Sequence, residues 1–123
     1  MTRHVNNARY FVYLETARLN HMLTDFGRTL QDQPEEGAII ARAEVDYRSP
    51  SEWNDELTVK LRVSHVGNSS WTYDYKILNE EKNLLIAEGR TVQVAYNYFK
   101  RTKIPIPPKI REKLVEDMES TKE

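Results

Sequence analysis

The residues best suited to chemistry crowd the start of this chain. His4, Asn6, Asn7 and Tyr10 stand within its first ten positions, and Glu15 follows closely. Asn6 or Asn7 suits the N-cap of a helix, because its side-chain oxygen accepts a bond from a free first-turn N–H. The other free N–H groups and the positive end of the helix dipole favour negative charge just beyond that start. Residues Asn7 to Tyr10 would supply donors of the kind that steady an oxyanion. The plainer alternative is a well-capped buried helix and nothing more. Glu15 lies about two turns in. A carboxylate in an apolar stretch is costly unless paired, so it is either a perturbed acid or base or bonded to a neighbour such as Arg18 on the next turn. Elsewhere, Arg48, Lys100, Arg101 and Lys103 are residue types that meet phosphates, although isolated strand-end cations are usually only solubilising. No Gly-rich phosphate loop is present. Asp46, Asp74 and the three histidines show no metal-ligand spacing, so no metal is expected.

These groups need elements to hold them. Apolar residues at positions 10, 11, 14, 17, 22 and 26 recur with helical period, which predicts a helix running to about Phe26. Gly27 suits the left-handed position past its end. The run Tyr10 to Leu14 is apolar all round, which predicts burial on more than one side. Alternation then takes over. Ile39 to Tyr47, Leu57 to Val63 and Trp71 to Ile77 each read as strands with one buried and one wet face. Gly67-Asn68 and Glu80 to Asn83 mark hairpin turns. Leu84 to Phe99 is a longer strand, in which Gly89 suggests a bulge or bend. Pro105, Pro107 and Pro108 stop it, and Lys109 to Glu119 reads as a short charged helix. The class is α+β, one long helix on a curved antiparallel sheet.

Bulk properties narrow the function. The chain has 123 residues, enough for one domain. Its 18 Lys and Arg nearly balance 19 Asp and Glu, a net charge of −1, which argues against a nucleic-acid partner. There is no cysteine, so a reducing, cytoplasmic home is expected. No apolar stretch approaches the ~20 residues that span a bilayer, and the start lacks a signal-peptide pattern.

The block His4-Val5-Asn6-Asn7-Ala8-Arg9-Tyr10, running into Phe11 to Arg18, resembles the central-helix start of hotdog-fold acyl-CoA thioesterases. It is most similar to the 4-hydroxybenzoyl-CoA thioesterase-like branch, with an echo of the acyl-ACP thioesterases. Tyr47-Arg48-Ser49-Pro50 with Asp55-Glu56-Leu57, Ser69-Ser70 before Trp71, Ala87-Glu88-Gly89, and Lys103 to Pro107 continue the likeness in order. In these enzymes a strand precedes the helix, and a catalytic Asp stands four residues before the His. That position would be residue 0 here, and Arg3 sits where a Gly is frequent.

The resemblance implies a single hotdog domain over 1–123, with the helix region at 1–27, the sheet at 37–99, a short helix at 107–119 and the first strand absent from this chain. It implies hydrolysis of acyl-CoA to free acid and CoA, impaired if the Asp lies upstream of Met1. It assigns His4, Asn6, Asn7, Tyr10 and Glu15 to the catalytic region. It gives Arg48, Lys100, Arg101 and Lys103 to the phosphates of coenzyme A, which enters as part of the substrate and not as a cofactor. A homodimer or homotetramer is expected, because relatives build sites across a subunit interface. The alternative is a non-catalytic acyl-ligand-binding or structural subunit. A hotdog hydratase is disfavoured, because no Asp precedes His21 or His65 at the required spacing.

Overall fold

The computed structural model describes residues 9–19, 21, 35–52 and 54–120. Helix α1 covers residues 9–19. Strands follow at β1 (Glu36–Tyr47), β2 (Thr58–Val66), β3 (Ser70–Asn79), β4 (Leu84–Asn97) and β5 (Thr102–Lys103), and helix α2 (Pro108–Ser120) closes the order. The strands form one antiparallel sheet in the order β1-β4-β3-β2, with β5 paired to the end of β4. This is the α+β hotdog arrangement. Strand β5, two residues long, is too short to show an alternation.

Two turns are built as their residues dictate. Gly67 N–H donates to the Ser70 carbonyl at 2.7 Å. Asn83 adopts a φ of 53°, which asparagine tolerates better than most residues, and its N–H reaches the Glu80 carbonyl at 3.2 Å.

The core lies between the sheet's inner face and α1. Odd residues of β3, namely Trp71, Tyr73, Tyr75 and Ile77, are buried, and Tyr10 and Leu14 of α1 meet them. Tyr10 and Leu14 are one helical turn apart, so they share a face. At the far side Ile110 and Leu114 of α2 repeat that spacing, and α2 packs on β2. Pro108 opens α2, where its missing N–H costs nothing.

Three expectations are corrected. Ile39, Ala43, Val45 and Tyr47 do not share one face. A bulge between Ile40 and Arg42 shifts the register, so Ile39 stands opposite Val94 on the outer face while Ala43 stands opposite buried Thr91 on the inner one. One extra residue reverses which side chains point inward. Gly89, by contrast, sits in regular register with Val45 and Tyr75 and bends nothing. Its role is space: a Cβ there would lie 2.7 Å from Cδ1 of Leu14. The missing side chain lets α1 settle onto the sheet.

The apolar run at the start of α1 is also buried on one side only within the described residues. Phe11 is 42% and Val12 55% exposed.

Candidate active site

The start of α1 rests against one end of the sheet. The Tyr10 hydroxyl and Ser51 Oγ lie 2.6 Å apart, both buried. The Tyr10 ring tilts against Tyr47, the last residue of β1, at 5.3 Å between centroids. The loop carrying Ser51 is braced in turn. Glu52 N–H donates to the Asp55 carboxylate at 2.9 Å, and Lys82 Nζ reaches the same group at 3.2 Å. The Glu52 bond above all, then Lys82 and Asn79, outweighs desolvation and holds the Asp55 carboxyl below its usual range. The described N-terminal end of α1 is therefore held through Tyr10, Ser51 and a loop locked by its own charge.

Beneath the middle of α1 runs a buried polar chain. The Tyr75 hydroxyl lies 2.5 Å from Thr91 Oγ1, Thr91 donates to Gln93 Oε1, and Gln93 Nε2 donates to the carbonyls of Trp71 and Thr91. Thr91 spends its proton on Gln93, so Tyr75 must donate to Thr91. The positive charge of Arg18 lies near the Tyr75 oxygen at the head of the chain. Burial pushes the Tyr75 hydroxyl above its ordinary pKa, with Thr91 and Arg18 pulling the other way. The phenol stays protonated and keeps the direction of the chain. Next along, His21 bonds Tyr73 through Nδ1 at 2.9 Å and Asp117 through Nε2 at 2.8 Å. It ties β3 and α2 together just beyond the end of α1.

The sequence-derived candidates fall into three groups. His4, Asn6 and Asn7, with the N-cap, lie outside the described residues, as does Gly27. Tyr10 faces the sheet as a positioning group. Glu15 is exposed on the opposite side of α1, with Phe11 and Val12, and among the described residues it has no partner. The charge of Arg18 acts on Tyr75 rather than on Glu15.

The four basic residues are not brought together within one chain. Arg48 follows β1 at the end where α1 starts and holds Glu88 at 3.0 Å. Lys100, Arg101 and Lys103 stand at the opposite end. Tyr47 pairs with Ala87 of β4, and Lys103 with Tyr96. Nine residues of strand separate the two ends, roughly 30 Å. Sequence reasoning missed the Tyr75–Thr91–Gln93 chain. Its signal was present: Thr91 and Gln93 occupy inward phases of β4, where a polar residue must find a partner. Among the described residues no cluster of three His, Asp or Glu is placed to hold a metal. No described helix is long and apolar enough to cross a membrane.

A helix held through Tyr10 against one end of an antiparallel sheet is the frame for comparison with known proteins. The sequence profile of the thioesterase-like superfamily matches residues 1–114. The chain belongs to that superfamily. It is 23% identical over 112 residues to the long-chain acyl-CoA thioesterase FadM of Escherichia coli, covering 91% of this chain and 85% of that protein. The structure of a predicted thioesterase from Bacillus stearothermophilus superposes with a TM-score of 0.81 at 29% identity, over 94% of this chain and 84% of that one. A 1,4-dihydroxy-2-naphthoyl-CoA thioesterase from Synechocystis shares the fold at a TM-score of 0.82 and 18% identity, over 93% and 85% of the two chains.

Proposed function

We propose that this protein hydrolyses acyl-CoA thioesters. Water adds to the thioester carbonyl, giving up a proton to a carboxylate base. The tetrahedral oxyanion collapses, the C–S bond breaks, and the CoA thiolate takes a proton. The products are a free acid and CoA. The observation that carries this reading is the superfamily match spanning both the start of α1 and the sheet it rests on. N–H groups of Asn7 to Tyr10 would steady the oxyanion, with His4 and Asn6 beside the thioester. Donors of this kind are typically worth about 10²–10³-fold. In the resembled enzymes the base is a carboxylate four residues before the His, and a carboxylate supplied at that place should add roughly 10²–10⁴-fold.

The working unit in this reading is a homodimer. Two surfaces support it. Strand β1 is an edge with Ile39 and Ile40 about two-fifths exposed, and α1 leaves Phe11, Val12 and Leu19 uncovered. Long apolar edges of this kind are normally covered. Antiparallel pairing of β1 with its copy, centred near the strand's middle, sets one subunit's Tyr47 beside the partner's Glu36. The partner's Lys100, Arg101 and Lys103 then approach Arg48 and the start of α1, joining the basic residues that one chain keeps apart. The test follows thiol release from acyl-CoAs by the chain as it stands and by a version carrying Asp directly before Met1. Light scattering run alongside should give twice the 14.5 kDa chain mass or a multiple of it. Absence of thiol release from both chains would remove the hydrolase reading in favour of an acyl-binding or structural subunit.

A further inference from the structure

The turn between β4 and β5 ends in a phenyl ring that nothing among the described residues covers. Phe99 is 82% exposed, and Tyr98 before it 47%. Lys100, Arg101 and Lys103 follow, all exposed, and none of the three has an ion-pair partner among the described residues. Residues 98–103 include no acid, on a chain whose net charge is −1. The nearest acids along the ladder, Glu35 and Glu36, stand half-buried at the start of β1, opposite Asn97 and behind the tip. The turn is also fixed in place. Asn97, only 7% exposed, accepts N–H bonds from both Phe99 and Lys100 at 3.0 and 2.9 Å through its Oδ1. Tyr98 N–H donates to the Glu35 carbonyl at 2.8 Å, and its hydroxyl donates to the Ala38 carbonyl at 3.0 Å. Its ring lies over Gly37 so closely that a Cβ there would sit 2.7 Å from Cε2. Arg101 takes a φ of 54°, a conformation that costs a residue with a Cβ and persists only where its surroundings impose it. The fold thus holds a bare aromatic residue and three unpaired cations at the tip of one rigid turn.

We propose that this turn docks on the surface of a bilayer containing anionic lipid, with Phe99 entering the interface and Lys100, Arg101 and Lys103 drawn to the headgroup charge. Attachment at such a surface scales with the apolar area buried plus the attraction of cations to anionic lipid, and the turn supplies both. A protein partner fits less well. A stable protein interface needs roughly 800 Å² a side, far more than the tip of a six-residue turn presents, whereas a bilayer accepts a single ring wherever it lands. The inference rests on the acyl-CoA reading for its purpose. Each buried methylene of a long acyl chain favours the bilayer over water, so the turn would bring the protein to where such a substrate collects. The coenzyme A phosphates of a membrane-held acyl-CoA lie at headgroup level, so the same cations serve both roles.

The test is co-sedimentation of the full chain with phosphatidylcholine vesicles and with vesicles that also contain phosphatidylglycerol. Binding is expected on the anionic vesicles and should weaken as salt rises. Lys100→Ala and Lys103→Ala should each weaken it about fivefold at low salt and less at high salt. Phe99→Ala should weaken it roughly tenfold at either salt, since burial of a ring is not screened. Phe99→Trp should restore binding and add a blue shift on anionic vesicles to the emission of the chain's two tryptophans. All four side chains are exposed, so the variants should melt with the wild type. Failure of the wild type to sediment with anionic vesicles would overturn the proposal, and so would equal binding by Phe99→Ala. A Phe99→Ala defect seen in self-association by light scattering, with vesicle binding intact, would also overturn it and make the turn a contact between subunits. The vesicles carry no thioester, so they decide the docking surface even if thiol release fails and the hydrolase reading falls.

Discussion

Gly89→Ala should loosen the helix from the sheet. Gly89 carries no unusual backbone angle, since no glycine here has a positive φ, so the substitution acts through space alone. The new methyl would sit 2.7 Å from Leu14 Cδ1 and 3.3 Å from the Glu44 carbonyl oxygen. The carbonyl belongs to the β1 ladder and cannot move far. Leu14 is 1% exposed and has no room to swing. Overpacking of this kind typically costs about 1–3 kcal/mol. Removing a glycine from a strand returns roughly 0.5–1 kcal/mol. The two ranges net to a loss of roughly 0–2.5 kcal/mol, centred near 1 kcal/mol, or about 3–6 °C in melting temperature for a domain of this size. Thermal melts followed by circular dichroism read it directly. Leu14→Val removes the atom in the way, so the cost of Gly89→Ala should largely vanish in that background, a coupling expected of residues in contact. A Gly89→Ala protein melting at or above wild type would refute the reasoning. So would an undiminished loss in the Leu14→Val background.

Other outcomes follow from the same geometry. Tyr10→Phe strands the buried Ser51 hydroxyl and should cost about 1–3 kcal/mol in denaturant unfolding. Gln93→Leu leaves the Thr91 hydroxyl without its acceptor and should lower stability by a similar amount, with Thr91→Val recovering part of it. For Asp74, burial pushes the carboxyl up, but the bond and charge of Arg90, with Ser64 and Arg62, bring it net below 3.8. A carboxyl depressed in the folded state stabilises above its unfolded value and loses that contribution as pH falls through the folded one. Unfolding followed below about pH 4 should therefore fall less steeply in Asp74→Asn than in wild type.

Much of this fold is legible in the chain because its signals are local. The alternation through Trp71, Tyr73, Tyr75 and Ile77 marks a strand with one buried face, and that face is the core. The prolines near position 107 end the sheet and open α2 where such residues must. The bulge at Ile40 and Arg42 is not legible, because apolar residues at both 39 and 40 fit either register and only pairing with β4 decides between them. Gly89 misleads for a related reason: a glycine in a strand signals a close approach as well as a bulge, and Leu14 lies far away in sequence. Of the site, the Tyr10 region follows from its motif, while its bond to Ser51 spans 41 residues and has no local trace. Glu15 reads as buried from its apolar neighbours, yet it stands on the outward side of α1 with Phe11 and Val12 while Leu14 faces the sheet. A helix apolar all round needs a second surface, and in the proposed dimer the second subunit supplies it.

The central claim is that this chain is built to cleave acyl-CoA thioesters, and thiol release tests it most directly. Long-chain and aromatic acyl-CoAs would be offered to the chain as it stands, to the version with Asp before Met1, and to that version with Asn in place of the Asp. The account predicts release of CoA and free acid in equal amounts, faster by roughly 10²–10⁴-fold with the Asp and lost again with the Asn. No thiol release from any acyl-CoA by the Asp-bearing chain, folded and dimeric in solution, would contradict it.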